Sequence, residues 1–246
     1  MSKSNLNIKL FSDGADLDGI KAMAENDWIH GFTTNPTLMR KAGVVDYKAF
    51  ACEVLKVVQD RPVSFEVFAD DFDDMKHQAL EIASWGKNVF VKIPVMNTQN
   101  QFSGSLIREL AKCRVQLNIT AVMTAEQISA IVECLQDETS AIISVFAGRI
   151  ADTGVDPIPI MREAIVAMQK KPKAELLWAS PRELLNIVQA NDIGCHIITA
   201  TSDILKKLSL LGKDHHEYSL ETVKMFYDDA LSAGFTIPDA RQRKSA

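Results

Sequence analysis

The chain has 246 residues, enough for one large domain or two small ones and for a full hydrophobic core. Its composition is that of a globular protein, 47% hydrophobic and 24% charged with 11 Gly and 8 Pro, which argues against a disordered or fibrous chain. A formal net charge of −5 speaks against a nucleic-acid or membrane-surface partner, because both want a basic face. Residues 1–6 are polar and carry no apolar h-region, and no later apolar run is long enough to span a bilayer, so a cytoplasmic protein is expected.

Apolar runs of strand length then recur at residues 8–12, 31–34, 63–68, 88–93, 115–120, 141–146, 175–179 and 195–199. Residues 46–59, 73–85, 125–135, 157–169 and 181–189 lie between them and place apolar side chains at three- and four-residue spacing, the helical pattern. Strand alternating with helix predicts parallel βαβ units. Eight such units in one chain predict an α/β fold, a single (β/α)₈ TIM barrel over residues 1–246, with its site at the carboxyl ends of the strands. A doubly wound open sheet is the second choice, weakened because no G-x-G-x-x-G follows the first strand. A last helix is predicted at 220–231, and 235–246, with the basic stretch 241–244, as a frayed tail. Cys52, Cys113, Cys134 and Cys195 sit in apolar contexts without a C-x-x-C pair and are expected as buried thiols.

Both faces of a barrel strand are normally apolar, so polar residues at alternate positions need a reason. On the fourth run Val89, Val91 and Ile93 share the face that meets the helices, which turns Lys92 inward with Phe90. On the fifth, Gln116, Asn118 and Thr120 share the inward face. Glu66 lies opposite Phe65 and Val67, and Ser144 is the inward polar residue of the sixth run. Asp13 ends the first strand, and Thr33 and Asn35 end the second. Each has a bland alternative: a buried Lys–Glu pair can be purely structural, and a strand-end Asp or Asn can be a cap. Six strands aiming polar groups at one cavity favour function, because an unpaired buried charge is costly.

Chemistry follows from the lysine. An amine attacks a carbonyl only when unprotonated, a state that burial favours. The resulting iminium is an electron sink that permits cleavage of an adjacent C–C bond, while carboxylates at the rim move protons. No cofactor is needed, and the spacing of Asp, Glu and His offers no metal site.

At these residues the chain resembles the transaldolase family, including its shorter fructose-6-phosphate-aldolase-like branch. The resemblance runs from about residue 8 to 228, through Leu10-Phe11-Ser12-Asp13, Thr33-Thr34-Asn35-Pro36, Val91-Lys92-Ile93-Pro94, Leu117-Asn118-Ile119-Thr120, Ser144-Val145-Phe146-Ala147-Gly148-Arg149 and Ala179-Ser180-Pro181-Arg182. It implies that Lys92 forms a Schiff base and that Asp13 relays the proton of the C4 hydroxyl. It implies that Glu66 and Thr120 position a water, and that Asn35, Asn118 and Ser144 bind a dihydroxyacetone unit beside Thr33. Arg149, Ser180 and Arg182 would hold the substrate phosphate, near a helix expected to start at Pro181. Glu66 and Phe146 stand where the aldolase branch has Gln and Tyr, which points to transfer; the alternatives are a lyase releasing dihydroxyacetone, an enzyme for an atypical sugar such as a sulfonated one, and a silent sugar-phosphate-binding barrel. The segment 95–104 departs from the family pattern, being longer and amide-rich, and is expected over the mouth of the site. Expected partners are small sugar phosphates and further copies of the chain, with neither nucleic acid nor membrane.

Overall fold

The structure, a computed structural model, describes residues 6–237. It divides into two compact units, Leu6–Leu208 and the chain from Ser209 on. In the first, strands β1 (Lys9–Asp13), β2 (Ile29–Thr33), β3 (Val63–Glu66), β4 (Val89–Pro94), β5 (Leu117–Val122), β6 (Ala141–Val145), β7 (Ala174–Trp178) and β8 (Ile197–Ala200) pair in parallel with their neighbours. β8 returns to β1 and closes the expected barrel.

Helices α1 (Leu17–Ala24), α2 (Pro36–Lys41), α3 (Tyr47–Val57), α4 (Phe72–Ala83), α5 (Gly104–Lys112), α6 (Ala125–Cys134), α7 (Ala147–Asp152), α8 (Ile158–Met168), α9 (Leu185–Asp192) and α10 (Ser202–Lys206) connect the strands. Several begin on a side chain that satisfies a free backbone N–H. Asp16, Asp46 and Asp71 cap α1, α3 and α4, and Thr124 with Gln127 forms a capping box on α6. The periodicity found α3, α4, α6 and α8 to within about two residues, an ordinary scatter for helix ends. It missed α1, α2, α5, α7 and α10, which have eight, six, nine, six and five residues and too few turns to repeat a pattern. The expected helix start at Pro181 is wrong: α9 begins at Leu185, and the Asn186 side chain accepts from the backbone N–H groups of Arg182 and Glu183.

Alternation along the strands makes two apolar layers. Val63, Phe65, Val89, Val91, Ile93, Leu117 and Ile119 face the helices in the larger one. A separate small cluster of Phe11, Ile142, Leu177, Ala179 and Ile197, with Phe90 and Phe146 against it, fills the inside of the barrel. Gly31 is the register partner of Phe11, and a Cβ there would lie 2.5 Å from the Phe11 ring. The plug therefore requires the glycine.

In the second unit, α11 (His215–Ser232) is capped by Asp214 and starts five residues before the predicted 220. None of its residues is buried. Residues 235–237 lie outside any helix, and the rest of the expected tail lies outside the described residues. Cys134 and Cys195 are buried as expected, but Cys52 and Cys113 are exposed, since an apolar sequence context does not say which face of a helix a residue takes. No helix among the described residues is long and apolar enough to cross a membrane.

Candidate active site

Parallel register sets the site at the carboxyl ends of the strands. Glu66 on β3 pairs in register with Lys92 on β4, and Lys92 with Asn118 on β5. With Val91 and Ile93 buried among the helices, Lys92 turns inward and is only 7% exposed. Its Nζ donates to the Thr34 carbonyl at 2.9 Å and lies 3.2 Å from Glu66 Oε2. Such a pair returns little net stability after desolvation.

Asp13, at the end of β1, accepts from Thr33 Oγ1 at 2.7 Å, while the Asn35 amide stands 3.5 Å from its other oxygen. Burial pushes the Asp13 carboxyl above its usual range, against the lowering influence of Lys92 and the Thr33 hydrogen bond. Asn35 has two tasks: its Oδ1 caps α2 by accepting from Leu38 N, which leaves its amide to face Asp13. The expected cap is present, and it leaves the amide of the same residue free to face the cavity.

Behind the lysine, Ser144 Oγ donates to Asn118 Oδ1 at 2.7 Å and the Asn118 amide donates to Ser64 Oγ at 2.9 Å. The chain runs from β6 to β3 through a fully buried Asn and fixes the amide orientation. The Thr120 hydroxyl is buried with no hydrogen-bond partner among the described residues. It lines the same cavity as Glu66 and so can bond a substrate or solvent oxygen there.

The cavity, about 380 Å³, is lined by Lys92, Asp13, Glu66, Thr120, Thr33, Asn35, Ser144, Phe146, Arg149 and Ser180, with Thr199 among the others. Two expected site residues do not line it. Asn118 sits behind Ser144, and Arg182 reaches away to Asp152, with which it makes two hydrogen bonds, one from Nε at 2.9 Å. That pairing draws the Asp152 carboxyl below its usual range. Arg149, by contrast, has its guanidinium 5.6 Å from the centroid of the Phe146 ring and makes no ion pair among the described residues. The 95–104 segment is not part of the lining either. It forms a small hairpin in which Met96 pairs with Phe102, held down by Asp70, which accepts from Thr98 N, Thr98 Oγ1 and Gln99 Nε2.

Two cavity residues hold left-handed backbone without being glycine: Ala121 at φ 62° and Ser180 at φ 58°. Each costs about 1–2 kcal/mol, spent where the loops meet the cavity. Three contributors escaped the sequence reading. Ser64 lies on the inward face two residues before Glu66, so alternation could have found it. Thr199 lies in the apolar run Ile-Ile-Thr-Ala, which gives no signal. Tyr47, at the start of α3, holds the end of β3 by accepting from Glu66 N at 2.7 Å and donating to Glu66 O at 3.1 Å.

Fold and site together define a class: a (β/α)₈ barrel whose polar residues converge on a buried lysine at the strand ends. The family model described as Transaldolase/Fructose-6-phosphate aldolase matches residues 10–240. A probable transaldolase of Roseiflexus sp. (strain RS-1) is 33% identical over 201 residues, 81% of this chain and 88% of that one. One from Dehalococcoides mccartyi is 32% identical over 82% of this chain and 90% of its own, and one from Thermoanaerobacter sp. (strain X514) is 29% identical over 94% and 100%. Among solved structures, dihydrodipicolinate synthase from Rhodopseudomonas palustris superposes with a TM-score of 0.57 over 95% of this chain and 82% of its own at 13% identity, a likeness of fold alone. The chain belongs to the transaldolase/fructose-6-phosphate aldolase family and is an enzyme of that aldolase type.

Proposed function

We propose that this enzyme is a class I transaldolase, moving a dihydroxyacetone unit between ketose and aldose phosphates through a Schiff base on Lys92. The observation that carries the reading is Lys92 itself, buried beside Glu66 in the cavity that Asp13 also lines. The amine adds to the donor C2 carbonyl, and the carbinolamine loses water to give an iminium. Glu66 and the open hydroxyl of Thr120 hold that water and carry its protons. Asp13 then takes the C4 hydroxyl proton as the C3–C4 bond breaks, and the bonding electrons pass into the iminium to leave an enamine. The aldehyde product departs and a second aldehyde enters. The enamine carbon attacks it, Asp13 returns the proton to the new alkoxide, and hydrolysis frees the product.

Asn35, Thr33 and Ser144 bind the hydroxyls of the three-carbon unit, with Asn118 holding Ser144. Arg149 and Ser180 take the phosphate, and Arg182 contributes at most through Asp152. Phe146 lacks a hydroxyl to protonate the enamine, so transfer wins over release. The exposed Val223, Phe226, Tyr227 and Leu231 of α11 support the further reading that the chain works as a homo-oligomer, which light scattering tests.

Borohydride added with a ketose phosphate should leave a reduced adduct on Lys92, seen by intact mass and peptide mapping. Lys92→Met should fold and give neither adduct nor turnover. An adduct on another lysine, or full turnover without any adduct, would sink the Schiff-base reading.

A further inference from the structure

We propose that Thr199 is a positioning residue for Asp13: acting through Thr33, it holds the carboxylate with one oxygen occupied and the other presented to the substrate. The inference deepens the proposed function and takes from it the role of Asp13. It rests on a side-chain chain that crosses β1. Thr33 on β2 and Thr199 on β8 flank that strand on its two sides, and their hydroxyl oxygens meet 2.6 Å apart. Thr33 Oγ1 lies 2.7 Å from Asp13 Oδ1, to which it donates.

Proton counting fixes the direction. A hydroxyl has one proton, and an ionised carboxylate can only accept. The Thr33 proton is spent on Asp13, so the bond between the threonines is donated by Thr199. The order is Thr199 to Thr33 to Asp13 Oδ1. Among the described residues Asp13 Oδ2 has only the Asn35 amide at 3.5 Å, a weak contact that leaves this oxygen for the C4 hydroxyl. Both threonines are buried, at 3% and 6% exposure, so water competes little for their hydroxyls. In such surroundings an accepted bond polarises the middle hydroxyl and strengthens its donation to the carboxylate.

The charges facing Asp13 make this bond matter. Lys92 from β4 favours the carboxylate, and Glu66 from β3 opposes it. β2 offers Thr33 and the N-cap of α2 offers Asn35, both neutral, and β8 contributes the Thr199 hydroxyl. With burial working against ionisation, the threonine chain is one of the few contacts that keep Asp13 a competent base. It also stops the carboxylate from rotating about its Cβ–Cγ bond. A purely structural threonine could change stability when replaced by valine, which has nearly the same shape, but would leave the Asp13 titration where it was.

The test compares Thr199→Val and Thr199→Ser in the full chain by two readouts. The first is independent of catalysis: a carbon-13 NMR titration of the Asp13 carboxyl in ligand-free protein, assigned with Asp13→Asn. Thr199→Val should raise the Asp13 pKa by about half a pH unit, and Thr199→Ser should restore it. The second is single-turnover kinetics of a ketose phosphate. In Thr199→Val the acid limb of C–C cleavage should move the same way and cleavage at its plateau should slow, while borohydride-trapped Lys92 accumulates at its normal rate. An unmoved Asp13 titration in Thr199→Val, or a serine variant that behaves like the valine variant, overturns the inference. Absence of any Lys92 adduct in the wild type instead overturns the proposed function, and the titration still decides the role of Thr199.

Discussion

One pleat separates two very different environments inside this barrel. Phe11, Phe90, Ile142 and Ile197 belong to the apolar plug. Two residues further along the same four strands stand Asp13, Lys92, Ser144 and Thr199, all lining the cavity. The distance is about 6.6 Å of strand. The lower level shuts water out from beneath and keeps the local dielectric low, which gives the charges above it their strength. The upper level, where the proposed chemistry takes place, buries polar groups instead. Stability and activity are therefore stacked along the same strands, and substitutions at the two levels should separate them.

The largest effect should come from breaking the lower level. Phe11→Ala removes the ring that Gly31 makes room for and should lower the free energy of unfolding by about 3–5 kcal/mol, read from denaturant midpoints. Turnover of the molecules that remain folded should still show the wild-type acid limb. A lost or displaced limb would mean that the plug also sets the electrostatics of Asp13.

On the upper level, Arg149→Ala should cut kcat/KM for a phosphorylated ketose by about 10- to 100-fold, the value of a charge-assisted contact. Arg182→Ala should change it by no more than about threefold, because Asp152 already holds that guanidinium. Equal losses would show that Arg182 leaves Asp152 when substrate binds. A smaller change is expected at the rim of the plug. Phe146→Tyr should raise dihydroxyacetone release relative to transfer on the order of tenfold, measured with and without an acceptor aldehyde. Wild-type release as fast as transfer would favour the lyase reading.

The smallest effect belongs to the opposite end of the strands. His196 Nδ1 accepts from Leu176 N at 3.0 Å, and His30 Nδ1 accepts from Leu10 N in the same way at 3.2 Å. Burial holds the His196 pKa below its usual 6.5, with Lys9 working in the same direction and Glu175 against it. A neutral imidazole thus contributes stability that is complete above pH 6.5 and is lost as pH falls through the folded pKa. His196→Asn keeps an acceptor that does not titrate. The melting temperature of the wild type should fall more between pH 7 and pH 5 than that of the variant, and parallel curves would remove His196 from the account.

How much of this was legible in the sequence depends on periodicity. The strands could be read because their outward faces alternate, and that alternation identified Lys92, Glu66 and Ser144 as inward before any coordinates. Thr199 could not be read, because both faces of β8 are apolar around it and only its tertiary neighbour gives the hydroxyl a role. The resemblance puts Arg182 with Arg149 and Ser180 at a substrate phosphate, but Asp152, 30 residues away in sequence, holds its guanidinium. The 95–104 segment was read as a cover for the site, whereas the carboxylate of Asp70 ties it down outside the lining. Side chains that a strand aims are predictable; those that a distant partner captures are not.

Gly148 gives the two loops that bring Arg149 and Ser180 to the cavity a shared fate. A Cβ at this position would stand 1.5 Å from the carbonyl oxygen of Ser180, so the start of α7 and the turn after β7 interlock backbone to backbone. The Gly148 N–H also donates to Ala179 O at 3.2 Å. Ser180 already holds left-handed backbone and has little room to retreat. For anyone grafting specificity from a relative, the segments that follow β6 and β7 are one cassette: exchanged together they carry their fit with them, and exchanged singly they arrive with a collision built in.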